Sequence, residues 1–249
     1  LTSALPLLLL FARPAAAGLM ADSTMFDSWK LANGLEVRAR HVPGASGVAI
    51  VVAYRAGSAY EPPAREGMAQ LLAELQFHAP AGDIPERSRE EMASLRPLGW
   101  GVQVNERLAT LTEISAPDRF PGVLHQVATR MRGVTPTPAD FRQATEDVRG
   151  DLALRHFGRA DLALYYRVRE LARGASDEQL VRMSSGSGLK TVTLKDATAQ
   201  LQKLYVPANA SLAIAGDFGD VDIRALIERE FGSIPGGAAQ PEAPAATLQ

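Results

Sequence analysis

Alternation of apolar and polar positions predicts strands in the first half of the chain. Residues 29–31 and 35–39 flank an Asn-Gly dipeptide at 33–34, which is the strongest short signal for a hairpin turn. The continuous apolar run 47–54 predicts a strand that is buried on both faces. Residues 102–115 alternate and are rich in β-branched side chains, which indicates a further pair of strands.

A second periodicity, close to 3.6 residues, predicts helices. Between residues 118 and 131 the apolar side chains recur at helical spacing, at Phe120, Val123, Leu124, Val127 and Met131. The predicted helices span 67–77, 86–95, 118–131, 140–156, 161–173, 194–205 and 221–231, and one more strand spans 211–215. A flexible loop is expected at Ser184–Gly188. The pattern predicts one α+β domain over residues 25–235, without internal repeats.

Both ends of the chain differ from this pattern. The short apolar stretch Leu5–Ala12, followed by Ala15–Ala17, is typical of a secretory signal cleaved near Ala17, so we assign residues 1–24 to a leader. It is too short for a membrane helix, which needs about 20 apolar residues. Residues 236–249 are rich in glycine, proline and alanine, a composition typical of linkers, and would lead toward a second half.

Composition narrows the function classes. The chain has 249 residues, of which 46% are hydrophobic and 22% charged, and its net charge is −2. Because 26 basic and 28 acidic residues nearly cancel, and no basic run is interleaved with aromatics, nucleic acid is not an expected partner. The absence of cysteine excludes disulfides and thiolate zinc sites, and it is compatible with either a reducing or an oxidising compartment.

The helix predicted at 67–77 carries the most specific motif of the chain. It resembles the signature helix of the pitrilysin/insulinase metallopeptidases, a family that includes the mitochondrial processing peptidases and whose pattern is Gly-x-Ala-His-x-x-Glu-His-x-x-Phe. Gly67, Ala69 and Phe77 match the frame of that pattern. At the positions of the two histidines and the glutamate, this chain has Gln70, Glu74 and Ala73 respectively.

Four shorter segments extend the resemblance in the family's order over about 200 residues. They are Asn33–Val37, Ala56–Pro63, Tyr205–Asp217 and Phe231–Pro235. The resemblance implies one half of a two-half protein, an α+β domain whose helices pack on a mostly antiparallel sheet.

The same resemblance implies that the zinc chemistry is lost. Residues three and four apart share a helix face, so Gln70, Ala73 and Glu74 are expected to line a common cleft. Gln70 is a poor zinc ligand compared with imidazole, Ala73 cannot act as a base, and one carboxylate at Glu74 does not make a site. We therefore expect no catalytic residue and no cofactor, whereas active family members hold zinc.

Other ligands are weak candidates. The family's distal acid would correspond to Glu146, or with a shift of register to Asp147, and without histidines a solvated acid paired with a neighbouring arginine is the better interpretation. His78, four residues after Glu74, could approach that carboxyl group, although a lone histidine at a helix end is more often a capping or surface group. His125 is expected to be exposed.

We infer from the resemblance a catalytically silent half or subunit. It would hold an extended peptide together with an active zinc peptidase subunit, or with its own second half, and would be exported to the bacterial periplasm. Membrane association is expected only through an uncleaved leader. Two alternatives remain: a zinc-dependent endopeptidase that is active through a second half or partner, and a structural scaffold like the core subunits of the cytochrome bc complex.

Overall fold

The predicted hairpin begins the described part of the fold. The computed structural model of the protein describes residues 26–85, 91, 94–95, 97–154, 160–172 and 186–242. Strands β1 (Asp27–Lys30) and β2 (Glu36–His41) pair antiparallel around a turn in which Gly34 has a φ of +92°. A Cβ atom at that position would lie 3.0 Å from Ala208, so both the backbone conformation and the close approach favour glycine.

Six strands form one sheet. The remaining strands are β3 (Val48–Tyr54), β4 (Trp100–Val104), β5 (Ala109–Ser115) and β6 (Ala210–Gly216). Their order is β1-β2-β6-β3-β5-β4; β2 and β6 run parallel, and all other neighbours run antiparallel. The prediction of an α+β fold on a mostly antiparallel sheet is confirmed, and β1 and β4 are its outer strands within the described residues.

Strand β3 differs from the prediction in one respect. Ile50, Val52 and Tyr54 are fully buried, whereas the alternate residues Ala49 and Val51 are only half-buried. The prediction that both faces are buried is therefore wrong. The helices cover one face of the sheet. On the other face, small or branched apolar residues make the sequence of β3 look continuously apolar, although they are not part of the main core.

Six helices accompany the sheet in the described ranges. They are α1 (Met68–His78), α2 (Phe120–Arg132), α3 (Pro138–Ala153), α4 (Ala160–Leu171), α5 (Leu194–Leu204) and α6 (Ile223–Phe231). Thr137 and Thr193 begin α3 and α5 with capping boxes, in which Asp140 and Asp196 bond back to the capping residues. None of the described helices has the length and apolarity to cross a membrane. Most of the helix predicted at 86–95 lies outside the described residues.

The loop predicted at Ser184–Gly188 is partly helical. Ser187–Thr191 forms a 3-10 helix in which Gly188 and Leu189 are buried. A Cβ atom at Gly188 would lie 2.6 Å from the backbone nitrogen of Glu66, because this turn packs directly against the segment before α1. The prediction of a flexible loop is wrong for this part, and residues 184 and 185 lie outside the described ranges.

The two ends of the domain are joined by hydrogen bonds. The side-chain amide of Asn33 donates to the carbonyl oxygens of Phe231 at 2.8 Å and Ile234 at 3.1 Å. The backbone N–H of Ala208 donates to the carbonyl of Gly236 at 2.9 Å. Segments far apart in the sequence therefore meet at one corner of the fold.

The chain after Pro235 continues along this domain as far as residue 242. The N–H of Gln240 donates to the Asn209 side chain at 3.0 Å, and the Tyr60 hydroxyl donates to the carbonyl of Pro241 at 3.0 Å. Gly236, Gln240 and Pro241 thus bond to the domain. The proposed domain limits stay a prediction, and the leader lies outside the described residues.

Candidate functional site

A remote glutamate caps the helix that carries the motif. Helix α1 begins after Gly67, whose φ of +94° is unfavourable for other residues, and Gly67 has no side chain with which to cap the helix. One carboxyl oxygen of Glu61 accepts hydrogen bonds from the N–H groups of Gly67 at 3.0 Å and Ala69 at 2.8 Å. Because a helix N-terminus has unsatisfied donors and a positive dipole end, this carboxyl group fixes where α1 begins.

The polar residues of α1 form a row along one face. The side-chain amide of Gln70 donates to Glu74 Oε1 at 3.0 Å, and His78 Nε2 lies 3.5 Å from Glu74 Oε2. Spacings of four residues place the three side chains above one another, and Ala73 adds only a methyl group beside them. The structure therefore brings Gln70, Glu74 and His78 together, with both carboxyl oxygens of Glu74 in contact with a neighbour.

This row is not open to solvent. Gln70 is 7% exposed, Glu74 is 5% exposed and Ala73 is fully buried. At the end of the row, His78 makes an edge contact with the ring of Trp100, with 5.6 Å between the ring centroids. The expectation that these residues line an open cleft is wrong, because β4 and the neighbouring helices cover α1.

The distal acid is not part of this row. Glu146 lies exposed on α3, and its neighbour Asp147 accepts a hydrogen bond from the Gln143 amide at 3.0 Å. Helix α3 reaches the interior through Val148 and Leu152. Within the described ranges, no three residues among histidine, cysteine, aspartate and glutamate are grouped as a metal ion would require.

The other histidines have partners elsewhere. His41 Nε2 lies 3.0 Å from Asp217 Oδ1, and this hydrogen bond is the main reason why the pKa of Asp217 falls to about 2. His125 is about half exposed and lies 2.7 Å from Glu230 on α6. His156 lies outside the described residues.

Sequence reasoning missed a buried polar group between α1 and the sheet. Gln76 donates to the carbonyl of Arg130 at 2.9 Å, and the guanidinium of Arg130 donates to the carbonyl of Ala79 at 3.3 Å. Arg130 and Glu113 are 5% and 4% exposed, and both line a cavity of about 10 Å³, the size of one water molecule. A signal was present in the alternation of β5, because Glu113 is in phase with its inward-facing apolar residues.

The sequence also did not predict a contact between two buried tyrosines, Tyr54 at the end of β3 and Tyr205 directly after α5. The rings of Tyr54 and Tyr205 are in contact, with 4.6 Å between their centroids. Burial raises the pKa of both hydroxyl groups, so both stay protonated at neutral pH. The Tyr54 hydroxyl bonds to the Gln76 side chain, whereas the Tyr205 hydroxyl is enclosed without a hydrogen-bond partner.

Comparison with known proteins agrees with the sequence motifs. A sequence model of the family described as Peptidase M16 inactive domain matches residues 191–249. Among curated proteins, none matches the sequence.

Several solved structures share the fold at low sequence identity. The periplasmic protease PqqL of Escherichia coli superposes with a TM-score of 0.72 at 16% identity, covering 90% of this chain and 25% of that chain. A peptidase M16 inactive domain from Pseudomonas fluorescens gives a TM-score of 0.70 at 16% identity, covering 89% and 54%. A mutant of the ferredoxin protease FusC, in complex with Arabidopsis ferredoxin, gives 0.64 at 17% identity, covering 87% and 25%. This chain thus spans between a quarter and about half of the length of these structures.

Proposed function

From the confirmed resemblance of this chain to the pitrilysin/insulinase-type metallopeptidases, we propose that it is a catalytically silent half or subunit of such a protein. In this role it holds an extended peptide for an active zinc peptidase, which is either a separate subunit or the second half of the same protein. The active partner supplies the metal and the general base. This chain supplies a surface that keeps the peptide extended and in position.

The observation that carries this proposal is the row of Gln70, Glu74 and His78 on α1. A catalytic zinc takes three protein ligands and keeps one position open for water. Here the carboxyl group of Glu74 contacts an amide on one side and an imidazole on the other, and Gln70 and Glu74 are almost inaccessible. This set of residues does not fit a catalytic zinc ion, because it offers a neutral amide, one buried carboxyl group and one imidazole, and it leaves no accessible position for water.

Strand β4 provides a surface for an extended peptide. The carbonyl of Gly99 accepts a backbone hydrogen bond from β5, and the N–H of Asn105 donates one to the turn before β5. Because bonded and non-bonded residues alternate in an antiparallel pair, the N–H and C=O groups of Trp100, Val102 and Val104 are directed toward the outer edge. An extended peptide can add to such an edge as a further strand. Trp100 also contacts His78, so the edge lies beside the row of polar residues on α1.

The paired architecture is supported by the solved structures. The chains that this fold matches are about two to four times as long as the region matched. The FusC structure holds that protease in complex with Arabidopsis ferredoxin. For the present chain, the corresponding ligand is proposed to be a peptide or unfolded protein segment, and its sequence stays open.

Export is proposed on separate grounds. The apolar leader with a small-residue cleavage site favours secretion, and the structurally similar PqqL is a periplasmic protease. Fractionation of cells that express the tagged chain with its natural leader tests this. Recovery in the periplasm with a new N-terminus near Ala17 supports export, whereas an uncleaved cytosolic product contradicts it.

Metal content and proteolysis test the silent role. The purified chain is expected to hold far less than one equivalent of zinc and to leave unfolded protein substrates intact. Stoichiometric zinc together with proteolysis that a chelator stops would overturn the proposal. The combined change Gln70→His, Ala73→Glu and Glu74→His rebuilds the metal ligands of the helix. If this triple variant binds zinc, adding Glu146→Gln tests whether Glu146 is the distal ligand. The added substitution lowers the affinity for zinc only if Glu146 binds the metal.

Peptide binding tests the holding role. Proline lacks an N–H, so Val102→Pro removes one outward donor from β4 without breaking a bond to β5. Ser28→Pro on β1, the opposite edge strand, is a matched control. Leu31 and Leu35 form a bonded pair between β1 and β2, and bonded and non-bonded residues alternate, so the Ser28 N–H is directed outward. Fluorescence anisotropy with a labelled unstructured peptide should show weaker binding for Val102→Pro alone. Equal binding by both variants and the wild type would rule out β4 as the docking edge.

A further inference from the structure

A cavity of about 200 Å³ lies on the other side of α1 from the row of Gln70, Glu74 and His78. Gln76 reaches this cavity, and it is two residues from Glu74, which places the two side chains about 200° apart around the helix axis. The end of α2, one side of α5 and the segment after α6 enclose the space. Met131, Leu201 and Ile234, all buried, provide apolar wall from these three elements.

The size of the cavity suits one small apolar group. An engineered apolar cavity of about 150 Å³ is known to bind benzene, so a space of this volume accommodates an aromatic ring or a branched aliphatic chain. The walls alone would favour a wholly apolar ligand. One charged residue in the lining, Arg132, changes that preference.

Tyr205 is 3% exposed and lines the cavity. Its hydroxyl oxygen is enclosed and inaccessible. Tyr205 therefore contributes carbon surface to the wall and is not a donor to a ligand in the cavity.

Arg132 is exposed at the rim of the cavity. Its guanidinium donates to the carbonyl of Glu230 at 2.6 Å and to the hydroxyl of Thr129 at 3.5 Å. These two bonds hold the cation in place at the mouth of an apolar space. A fixed guanidinium is the preferred partner of a carboxylate.

We propose that this cavity binds a small apolar carboxylate, with its apolar part between Met131, Leu201 and Ile234 and its anionic oxygens facing the guanidinium of Arg132. Two sources share this chemistry: the free C-terminal residue of a peptide, and a small aromatic or branched carboxylic acid. The site lies apart from β4 and does not depend on the peptide-holding role.

Calorimetric titration of the full chain with N-acetylphenylalanine tests the charge requirement. Arg132→Gln is expected to weaken binding of this acid about tenfold or more, while leaving the weaker binding of N-acetylphenylalaninamide unchanged. Lys203→Gln is the matched control, because Lys203 is an exposed cation on α5 outside the lining. No saturable binding of the acid by the wild type, or equal loss in both variants, would overturn the proposal.

A second variant tests the position of the ligand. Thr198 lines the cavity from α5 and is half-buried, so Thr198→Phe fills the space from its edge without removing core atoms. Binding of the acid is expected to disappear while the urea midpoint of unfolding stays near the wild-type value. Unchanged affinity in this variant would place the ligand elsewhere and refute the proposal.

The source of the ligand is decided by a third comparison. A short peptide that ends in phenylalanine is titrated with a free and with an amidated C-terminus, beside the acetylated amino acid. Tighter binding of the free peptide than of the amino acid identifies a peptide C-terminus as the ligand, and binding of the amino acid alone identifies a small carboxylic acid. Binding that does not distinguish the free from the amidated peptide would contradict the role of the carboxylate.

Discussion

Glu61 offers a quantitative test of how the position of α1 is fixed. Its carboxyl group accepts two hydrogen bonds from the first turn, from Gly67 and Ala69. Loss of a capping side chain costs about 0.5–2 kcal/mol, and loss of a negative charge at a helix N-terminus costs about 0.3–1 kcal/mol. Glu61→Ala should therefore lower the free energy of unfolding by about 1–3 kcal/mol. Glu61→Gln keeps an acceptor oxygen and should lose only the charge contribution, about 0.3–1 kcal/mol.

Urea unfolding followed by circular dichroism measures these differences. The control is Glu36→Ala, since the Glu36 side chain on β2 is about half exposed and its ion pair with Lys30 is long, at 3.8 Å. Removing such a surface pair should change stability by less than about 0.5 kcal/mol. Hydrogen exchange adds a local measurement, because the amide of Ala69 should exchange faster in Glu61→Ala. If Glu61→Ala is no less stable than the control, and this amide stays protected, the capping argument is refuted.

Three further predictions use the same unfolding assay. Asn33→Ala removes the donor to the carbonyls of Phe231 and Ile234 and should cost about 1–3 kcal/mol, because both carbonyls lose a partner; a loss no larger than that of a surface substitution would show that this corner is held by packing instead. Gly57→Ala places a methyl group against the main chain of the turn between β4 and β5 and should cost about 1–3 kcal/mol; wild-type stability would contradict the close approach. The lowered pKa of Asp217, about 2 in the folded chain against about 3.9 when unfolded, stabilises the fold above pH 4, and this contribution is lost as the pH falls toward 2. Asp217→Asn should flatten the change in urea midpoint over that pH window, and an unchanged pH profile would contradict the assignment.

Elements with a strong local pattern were predicted well. The β1–β2 hairpin follows from the Asn-Gly turn, and α2 follows from apolar residues at helical spacing, because turn chemistry and one-sided burial are encoded in neighbouring residues. Start positions were less accurate. Helix α3 begins at Pro138, two residues before the predicted start, because Thr137 and Asp140 form a capping box that the apolar pattern does not show.

Features that depend on remote segments could not be predicted in the same way. Gly188 has the composition of a loop residue, yet it is buried, because it packs against the segment that precedes α1. Residues 236–242 have the composition of a linker, yet their backbone groups find partners along the domain. Composition describes what a segment can do alone, whereas packing depends on which surface lies next to it.

The motif segments themselves illustrate this division. Asn33 belongs to one of them and Phe231 to another, and their hydrogen bond shows that these positions hold the two ends of the domain together. Glu61 belongs to a third and caps α1. These motif positions therefore have roles in the fold that do not require a metal ion.

The sequence by itself determined the chemistry of the α1 face that carries Gln70, Ala73 and Glu74. An amide, a methyl group and a carboxyl group at Gln70, Ala73 and Glu74 cannot replace imidazole ligands and a base, whatever surrounds them. Only the tertiary structure decided that this face is buried, that Gln70 donates a hydrogen bond to Glu74, and that His78 lies beside the Glu74 carboxyl group. The physical reason is that side-chain chemistry is a local property, whereas burial and partners are set by strands and helices from distant parts of the chain.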